Sequence, residues 1–219
     1  MDSEELKKSV AKAVLDYIYP GSVIGVGTGS TVFHFIEALS YTKNLVHGVV
    51  SSSSSSTLFL KKHGIPVYNL SDIKSLMLYI DSADEINFKL QMIKGGGAAL
   101  TREKILASAA KTFICIVDES KLVKVLGKFP LPIEIIPMSI SYILDKLIKL
   151  GGIPKIRHNV ITDNGNIIVD VYDFKILDPI KIEHKINSLP GVVSVGLFAT
   201  RTADIALISK QSGITVMKK

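Results

Sequence analysis

The chain of 219 residues has no tryptophan, a single cysteine and only three arginines. One cysteine excludes a disulfide framework and a cysteine-based metal cluster. Cys115 stands inside the apolar run FICIVD, where a small buried hydrophobe is a better interpretation than a reactive thiol. The near absence of cysteine fits a reducing cytoplasm.

Long hydrophobic runs are missing too. None reaches the roughly 18 residues that a membrane span needs, and the N-terminal stretch MDSEELKKSVAKAVLDYI alternates charged and apolar residues, unlike a secretory signal. We therefore expect a cytoplasmic protein without a membrane partner. Hydrophobic residues make up 47% and charged residues 21%, the balance of a globular chain that can bury a core.

The net charge of +6 could indicate a nucleic-acid partner. Arginine is the usual reader of phosphates and base edges, yet the chain has only Arg102, Arg157 and Arg201. Its lysines are scattered and form no basic stripe. We expect no nucleic-acid partner, although a positive field would help to attract a small phosphorylated anion.

Short apolar runs alternate with helical patterns through the first half of the chain, from SVIGVG to TFICIVD. This order is typical of a parallel sheet covered by helices. Pro130, Pro132 and Pro137 mark a boundary, because proline resists helix interiors and central strands. The closing segment DIALISKQSGITVMKK is expected to return to the first sheet.

Beyond the prolines, the patterns read strand, helix, strand, a turn at Asn164-Gly165, strand, helix and strand. That β-α-β-β-α-β order belongs to the ferredoxin-like motif. We predict an α/β protein with a Rossmann-like, mostly parallel sheet domain over 1–129 plus 203–219. A smaller ferredoxin-like α+β domain is predicted over 130–202.

The loop GTGST, residues 27–31, precedes a predicted helix. Glycines and a helix N-terminus could hold a phosphate, but a simple N-cap at Ser30 or Thr31 explains the loop as well. A dinucleotide site is disfavoured. The glycines are spaced G-x-G-x-G instead of G-x-G-x-x-G, and the acidic residue expected after the second strand is missing.

Three further loops follow predicted strands. The serine run 51–56 offers hydroxyls for a polyhydroxylated ligand, although one of the serines could simply cap a helix. Asp81 and Asp84 in DSADE are candidate site carboxylates, although they could be simple turn residues. The segment IKGGGAALTREK adds Lys94, three glycines and Glu103, and DESK adds Lys121. Ligands bind at the carboxyl ends of parallel strands, so we expect these residues to share one crevice. The five histidines show no metal-ligand spacing.

The motifs GVGTGST, DSADEIN, IKGGGAALTREK, DESK and LGKFPLPIEIIPM, in this order, resemble those of type A ribose-5-phosphate isomerases. The resemblance continues through TDNGN and PGVVSVGLFA and so covers nearly the whole chain. It implies interconversion of D-ribose 5-phosphate and D-ribulose 5-phosphate in the pentose phosphate pathway, without a metal or nucleotide cofactor. It also implies a homodimer, as is usual for the family.

The resemblance assigns Glu103 as the proton-abstracting base, with Asp81, Asp84 and Lys94 as further catalytic residues. Substrate binding is expected from Thr28, Gly29, Ser30, Thr31, Asp81, Ser82, Ala83, Asp84, Lys94, Gly95, Gly96, Gly97 and Lys121. The chain departs from the family at Ser82, where a glycine is usual, so that this turn must avoid positive φ or be strained. The serine run 51–56 is also more uniform than usual.

Three other functions fit parts of the sequence. An amino-sugar phosphate isomerase or deaminase would be expected to use a histidine acid, and none stands in these loops. A non-catalytic sugar-phosphate sensor would keep the 27–31 loop without needing Glu103. A nucleic-acid module would show a steep dependence of its affinity on salt.

Overall fold

The computed structural model describes residues 2–219. The helices in chain order are α1 (Ser3–Ala13), α2 (Ser30–Ser40), α3 (Ser54–Lys62), α4 (Leu100–Ala109), α5 (Ile140–Lys149) and α6 (Pro179–Asn187). The strands are β1 (Ser22–Val26), β2 (Val46–Ser51), β3 (Leu76–Asp81), β4 (Glu85–Ile86), β5 (Met92–Ile93), β6 (Ala110–Asp118), β7 (Leu131–Ile135), β8 (Ile153–Ile156), β9 (Ile167–Tyr172), β10 (Val192–Val195), β11 (Leu197–Phe198), β12 (Ile205–Lys210) and β13 (Gly213–Lys218).

The chain separates into two compact units. One contains the described residues up to Ser82, Arg102–Lys121 and Ala203–Lys219; the other contains Ala83–Thr101 and Leu122–Thr202. The predicted domain boundaries at 129/130 and 202/203 stay a prediction.

A six-stranded sheet in the order β13-β12-β6-β3-β1-β2 forms the first unit. All its pairs are parallel except the closing hairpin β12–β13. Chain order reverses beside β1, whose neighbours are β2 and β3, and ligands bind at such switch points. The central strand β6 is continuously buried from Phe113 to Asp118, as expected of a strand covered on both faces. The hairpin confirms that the closing segment returns to this sheet.

The helices of this unit bury apolar faces on the sheet. Val10 of α1, Phe35 of α2 and Leu60 of α3 join one core cluster with Ile24 and Ile80 of the strands. At the start of α1, the Asp2 carboxylate accepts from the N–H of Glu5, and the Glu5 carboxylate accepts from the N–H of Asp2. This reciprocal cap satisfies two backbone donors that the helix start leaves unpaired.

The second unit has an antiparallel sheet in the order β10-β7-β9-β8. With α5 between β7 and β8, and α6 between β9 and β10, it has the predicted β-α-β-β-α-β arrangement. The strand predicted across KIRHNVIT is shorter than expected: β8 ends at Ile156, and Asn159 takes φ +58°, a conformation that a strand excludes. A small sheet β11-β5-β4 was not predicted. The α/β fold class is confirmed.

Candidate active site

The loop between β1 and α2 ends in a glycine cap. Gly29 is the N-cap of α2, with φ +112°, and no side chain caps this helix. The capping alternative for Ser30 and Thr31 is therefore wrong. Because no side chain takes the first N–H groups of α2, they are available to an anionic group, which the positive end of the helix dipole also attracts.

Asp81, at the end of β3, ties this loop to the sheet. Its buried carboxylate accepts from the N–H of Thr28 at 3.1 Å, from the N–H of Ser82 at 2.7 Å and from the Tyr79 hydroxyl. The Ser82 hydroxyl donates in turn to the Thr28 carbonyl at 3.2 Å. A carboxylate with several donors keeps one orientation, so Asp81 fixes the ends of β1 and β3 together.

Gly27 allows this arrangement. A Cβ built on Gly27 would lie 1.9 Å from Cγ of Asp81, far inside van der Waals contact. Only a residue without a side chain lets the Asp81 carboxylate lie against the loop.

Side chains of the serine run 51–56 form hydrogen bonds with the 27–31 loop. Ser53 caps α3 by accepting from the N–H of Ser56 at 3.1 Å, and its hydroxyl lies 3.1 Å from that of Thr28. The Ser56 hydroxyl donates to the Gly27 carbonyl at 2.8 Å. These serines act within the fold, as the structural alternative proposed. Ser54 and Ser55 are exposed.

Glu103, in the first turn of α4, is only 2% exposed. Glu103 and Asp81 both act electrostatically on the buried Tyr79. The pKa of the Tyr79 phenol lies well above its usual value, first because of burial and then because of the charges of Asp81 and Glu103. Two acidic groups therefore act on one buried hydroxyl, which stays neutral and serves as a donor.

Lys121 ends a short 3-10 turn, Glu119–Lys121, directly after β6. Strand β6 is the parallel neighbour of β3, so Lys121 follows the same edge of the sheet as Asp81. Its side chain is partly exposed.

The second unit holds the other predicted residues. Lys94 follows β5, is 2% exposed, and its Nζ lies 5.5 Å from the centre of the Phe198 ring. Its backbone N–H donates to the Gly196 carbonyl at 2.9 Å. The lysine is thus held by its main chain beside β11, with its ammonium over an aromatic face.

The glycine triplet forms a tight turn. The N–H of Ala98 donates to the Gly95 carbonyl at 3.0 Å, Gly95 has φ +106°, and the N–H of Gly96 donates to Oδ2 of Asp84 at 2.8 Å. A Cβ on Gly96 would lie 2.5 Å from Oδ1 of Asp84. Glycines are therefore needed here for backbone shape at Gly95 and for close approach of a carboxylate at Gly96.

Ser82, which stands where the family usually has glycine, does not have a positive φ. The non-glycine residues with positive φ in the described chain are Leu90, Ala98, Asn159 and Asp173. Ser82 is not among them, so the turn carries no such strain. The neighbouring Ala83 is buried.

Two residues were missed from the sequence. Tyr79 lies two positions before Asp81 on β3, so strand alternation places both on one face and could have identified it. Arg157, which contacts the glycine triplet, lies about sixty residues further along the chain, and no local pattern marks it.

Within residues 2–219, no helix is long and apolar enough to cross a membrane. In the same range no group of three or more histidine, cysteine, aspartate or glutamate residues is arranged to hold a metal ion.

Comparison with known proteins decides the family. The model of the family Ribose 5-phosphate isomerase A (phosphoriboisomerase A) matches residues 48–213. The chain belongs to this family. A Ribose-5-phosphate isomerase A from Buchnera aphidicola subsp. Baizongia pistaciae is 68% identical over 217 residues, which cover 99% of this chain and 100% of the relative.

Two solved structures extend the family likeness to the whole fold. Ribose 5 phosphate isomerase A from Neisseria gonorrhoeae superposes with a TM-score of 0.97 at 43% identity, covering 99% of this chain and 97% of its own. A D-ribose-5-phosphate isomerase in complex with phospho-erythronic acid gives a TM-score of 0.95 at 38% identity, with full coverage of both chains. The predicted family and enzyme class, an isomerase, are confirmed.

Proposed function

We propose that this chain interconverts D-ribose 5-phosphate and D-ribulose 5-phosphate through a cis-enediolate, with Glu103 as the base. The reaction removes the proton on C2 of the aldose and returns a proton to C1, while a hydroxyl proton passes between O1 and O2. A single carboxylate can serve both carbon atoms. Family membership supports the reaction, and the burial of Glu103 in α4 beside the Tyr79–Asp81 pair supports its role.

The phosphate is assigned to residues 28–31. Gly29 leaves the first N–H groups of α2 without a side-chain cap, and Ser30 presents an exposed hydroxyl. Lys121 adds positive charge at the same edge of the sheet. Holding the phosphate supplies binding energy that orients the distant carbon atoms.

The developing oxyanion is assigned to the Lys94 ammonium and to N–H groups of the glycine triplet. Donors of this kind are worth roughly 3–4 kcal/mol each when deleted. Gly95 and Gly96 already have structural reasons to be glycine, and this assignment adds a reason at Gly97, where a Cβ would keep the main chain away from the sugar.

Asp81 and Asp84 are assigned to the hydroxyl protons, including the proton that moves when the furanose ring opens. Asp81 already accepts from two N–H groups and the Tyr79 hydroxyl, which suits it to hold the site in shape. Asp84 is partly exposed, and we therefore assign the ring-opening proton to it first.

We further propose that the chain is a cytoplasmic homodimer. The dimer follows the family pattern. Light scattering coupled to size exclusion tests it, because a mass of one chain would contradict the dimer.

The decisive test is Glu103→Gln, which keeps the shape of the side chain and removes the base. Turnover of ribose 5-phosphate should fall by at least about 100-fold, while phospho-erythronic acid still binds in calorimetry. In D2O, the wild type should place deuterium on C1 of the product and the variant should not. Glu37→Gln, at an exposed site on α2, is the matched control and should retain full activity.

The same experiment separates the rival functions. Turnover of glucosamine 6-phosphate in preference to ribose 5-phosphate would identify the amino-sugar enzyme. Binding of ribose 5-phosphate with no turnover by the wild type would identify the sensor. Undiminished turnover by Glu103→Gln would refute the role given to Glu103. Activity should survive treatment with EDTA, and a loss restored by added metal would contradict a reaction without cofactor.

A further inference from the structure

Arg157 joins a buried carboxylate to the glycine triplet. Its Nε donates to Oδ2 of Asp170 at 2.7 Å, and its Nη2 donates to Oδ1 at 2.5 Å. The remaining nitrogen, Nη1, donates to the carbonyls of Gly95 and Gly96, both at 3.0 Å. One guanidinium group thus binds a carboxylate through two of its nitrogens and two successive peptide carbonyls through the third.

The strand register explains why arginine and aspartate meet. Lys155 of β8 lies opposite Asp170 of β9, and the backbone N–H of Arg157 continues the ladder by donating to the Ile168 carbonyl at 2.8 Å. Arg157 and Asp170 are therefore diagonal neighbours on one face of the sheet, a spacing that long side chains bridge. Their side chains are 18% and 9% exposed, so the pair is partly shielded from water.

Peptide geometry gives this contact a consequence. In a trans peptide the C=O and the following N–H point in opposite directions, and the described chain has no cis peptide bond. Because both carbonyls converge on Nη1, the N–H groups of Gly96 and Gly97 must point away from Arg157. For Gly96 this is observed, since its N–H donates to Asp84.

We infer that Arg157, held by Asp170, is a positioning residue that aims the N–H groups of Gly96 and Gly97, the first at Asp84 and the second at the oxyanion of the substrate. The role given to Gly97 rests on the proposed function. A glycine turn has more backbone freedom than any other, so contacts from outside add to its own Ala98–Gly95 hydrogen bond in fixing its direction. The guanidinium charge also polarises both peptide groups, which makes their N–H groups better donors.

Arginine suits this task better than lysine. The planar fork can bind a carboxylate through two nitrogens while a third nitrogen faces another way. An ammonium on a flexible stem can reach the carboxylate or the carbonyls, but it does not fix the angle between them.

The test compares Arg157→Met and Arg157→Lys with the control Lys155→Met. Lys155 is an exposed cation on the same face, and its Nζ stacks 4.9 Å from the centre of the Tyr172 ring. For ribose 5-phosphate, Arg157→Met should lower kcat by about 10- to 100-fold, as expected of a donor displaced by about 1 Å. KM should change less than threefold, since the phosphate is bound elsewhere. Arg157→Lys should restore part of kcat, and Lys155→Met should behave as wild type.

A second measurement does not depend on turnover. In ¹H–¹⁵N spectra, the amide signals of Gly96 and Gly97 should shift and exchange faster in Arg157→Met, with the signals of the buried residues Ile143 and Leu147 of α5 unchanged. Unmoved glycine amides, or a kcat within twofold of wild type, would overturn the inference. If the wild type fails to isomerise ribose 5-phosphate, the proposed function fails, whereas the amide shifts still decide whether Arg157 positions the turn.

Discussion

The Tyr79 hydroxyl donates a hydrogen bond to Oδ2 of Asp81, and both side chains are fully buried. The two residues stand at i and i+2 on β3 and face the same side of the sheet. Asp81 in turn accepts from the N–H of Thr28. One side-chain pair therefore connects the core of the sheet to the loop assigned to the phosphate.

Tyr79→Phe should lower the free energy of unfolding near neutral pH by about 1–3 kcal/mol, because a buried carboxylate oxygen loses a donor. Denaturation by urea measures this loss. Tyr41→Phe, at a site 89% exposed, is the matched control and should be neutral.

The same variant should change the alkaline limit of stability. Burial and the charges of Asp81 and Glu103 raise the pKa of Tyr79 well above its usual value of about 10. A raised pKa in the folded state stabilises the protein below the unfolded value, and this contribution is lost as the pH rises above about 10. Stability declines between roughly pH 9 and pH 11, the range around the ordinary pKa of tyrosine. This decline should be less steep in Tyr79→Phe than in the wild type. Parallel curves for variant and wild type would contradict this.

Gly27→Ala should lower activity more than its small volume suggests. The added methyl would lie 1.9 Å from Cγ of Asp81, so either the carboxylate or the 27–31 loop must move. We expect kcat/KM to fall by about 10-fold or more, since a displacement of about 1 Å is enough. Gly21→Ala is the control. Gly21 has φ +76° with nothing within 4 Å of a built Cβ, so that alanine should cost about 1 kcal/mol of stability and leave kcat unchanged.

Much of the fold could be predicted from the sequence because its signals are local. The buried runs of β1, β3 and β6 and the helical periods between them define a parallel sheet, and Pro130 and Pro132 mark the start of the second pattern. The rule that ligands bind at the carboxyl ends of parallel strands then placed Asp81 and Lys121 after neighbouring strands, as the structure does.

Interactions distant in sequence could not be predicted. Nothing in KIRHNVIT shows that Arg157 bonds to Gly95 and Gly96, because that contact depends on how β8 pairs with β9. The serine run was ambiguous for a different reason. Each serine carries the same hydroxyl, so only the register of α3 decides that Ser53 is the cap and that Ser56 meets Gly27.

The Glu4 carboxylate should titrate unusually low. Lys7 Nζ lies 2.6 Å from its Oε1, and His34 Nε2 lies 2.8 Å from its Oε2. The hydrogen bond from Lys7, then that from His34, lowers the pKa of Glu4 to about 2. The contribution of these two contacts to the stability of the folded protein is present above pH 4.5, the ordinary pKa of a glutamate, and is lost as the pH falls towards 2. An NMR titration should show this midpoint, and Lys7→Met should raise it, whereas Lys12→Met should not. A midpoint near 4.5 in the wild type would contradict the contact.

Glu134 of β7 holds the loop after β8 through neutral donors. This fully buried carboxylate accepts from the hydroxyls of Thr101 and Thr162 and from the side-chain amides of Asn164 and Asn166. Glu134→Gln replaces one acceptor oxygen with an NH2 group that faces other donors, so at least one hydrogen bond is lost and a repulsion takes its place. Each buried group left without its partner costs about 1–3 kcal/mol.

Denaturation by urea should show this full loss for Glu134→Gln. Asp145→Asn removes a charge of the same kind from an exposed pair with Lys149 on α5 and should change the free energy of unfolding by less than about 0.5 kcal/mol. Equal effects of the two substitutions would mean that the hydroxyl and amide donors are satisfied without the Glu134 charge. A large loss confined to Glu134→Gln would show that this single carboxylate orders residues 162–166 against the sheet.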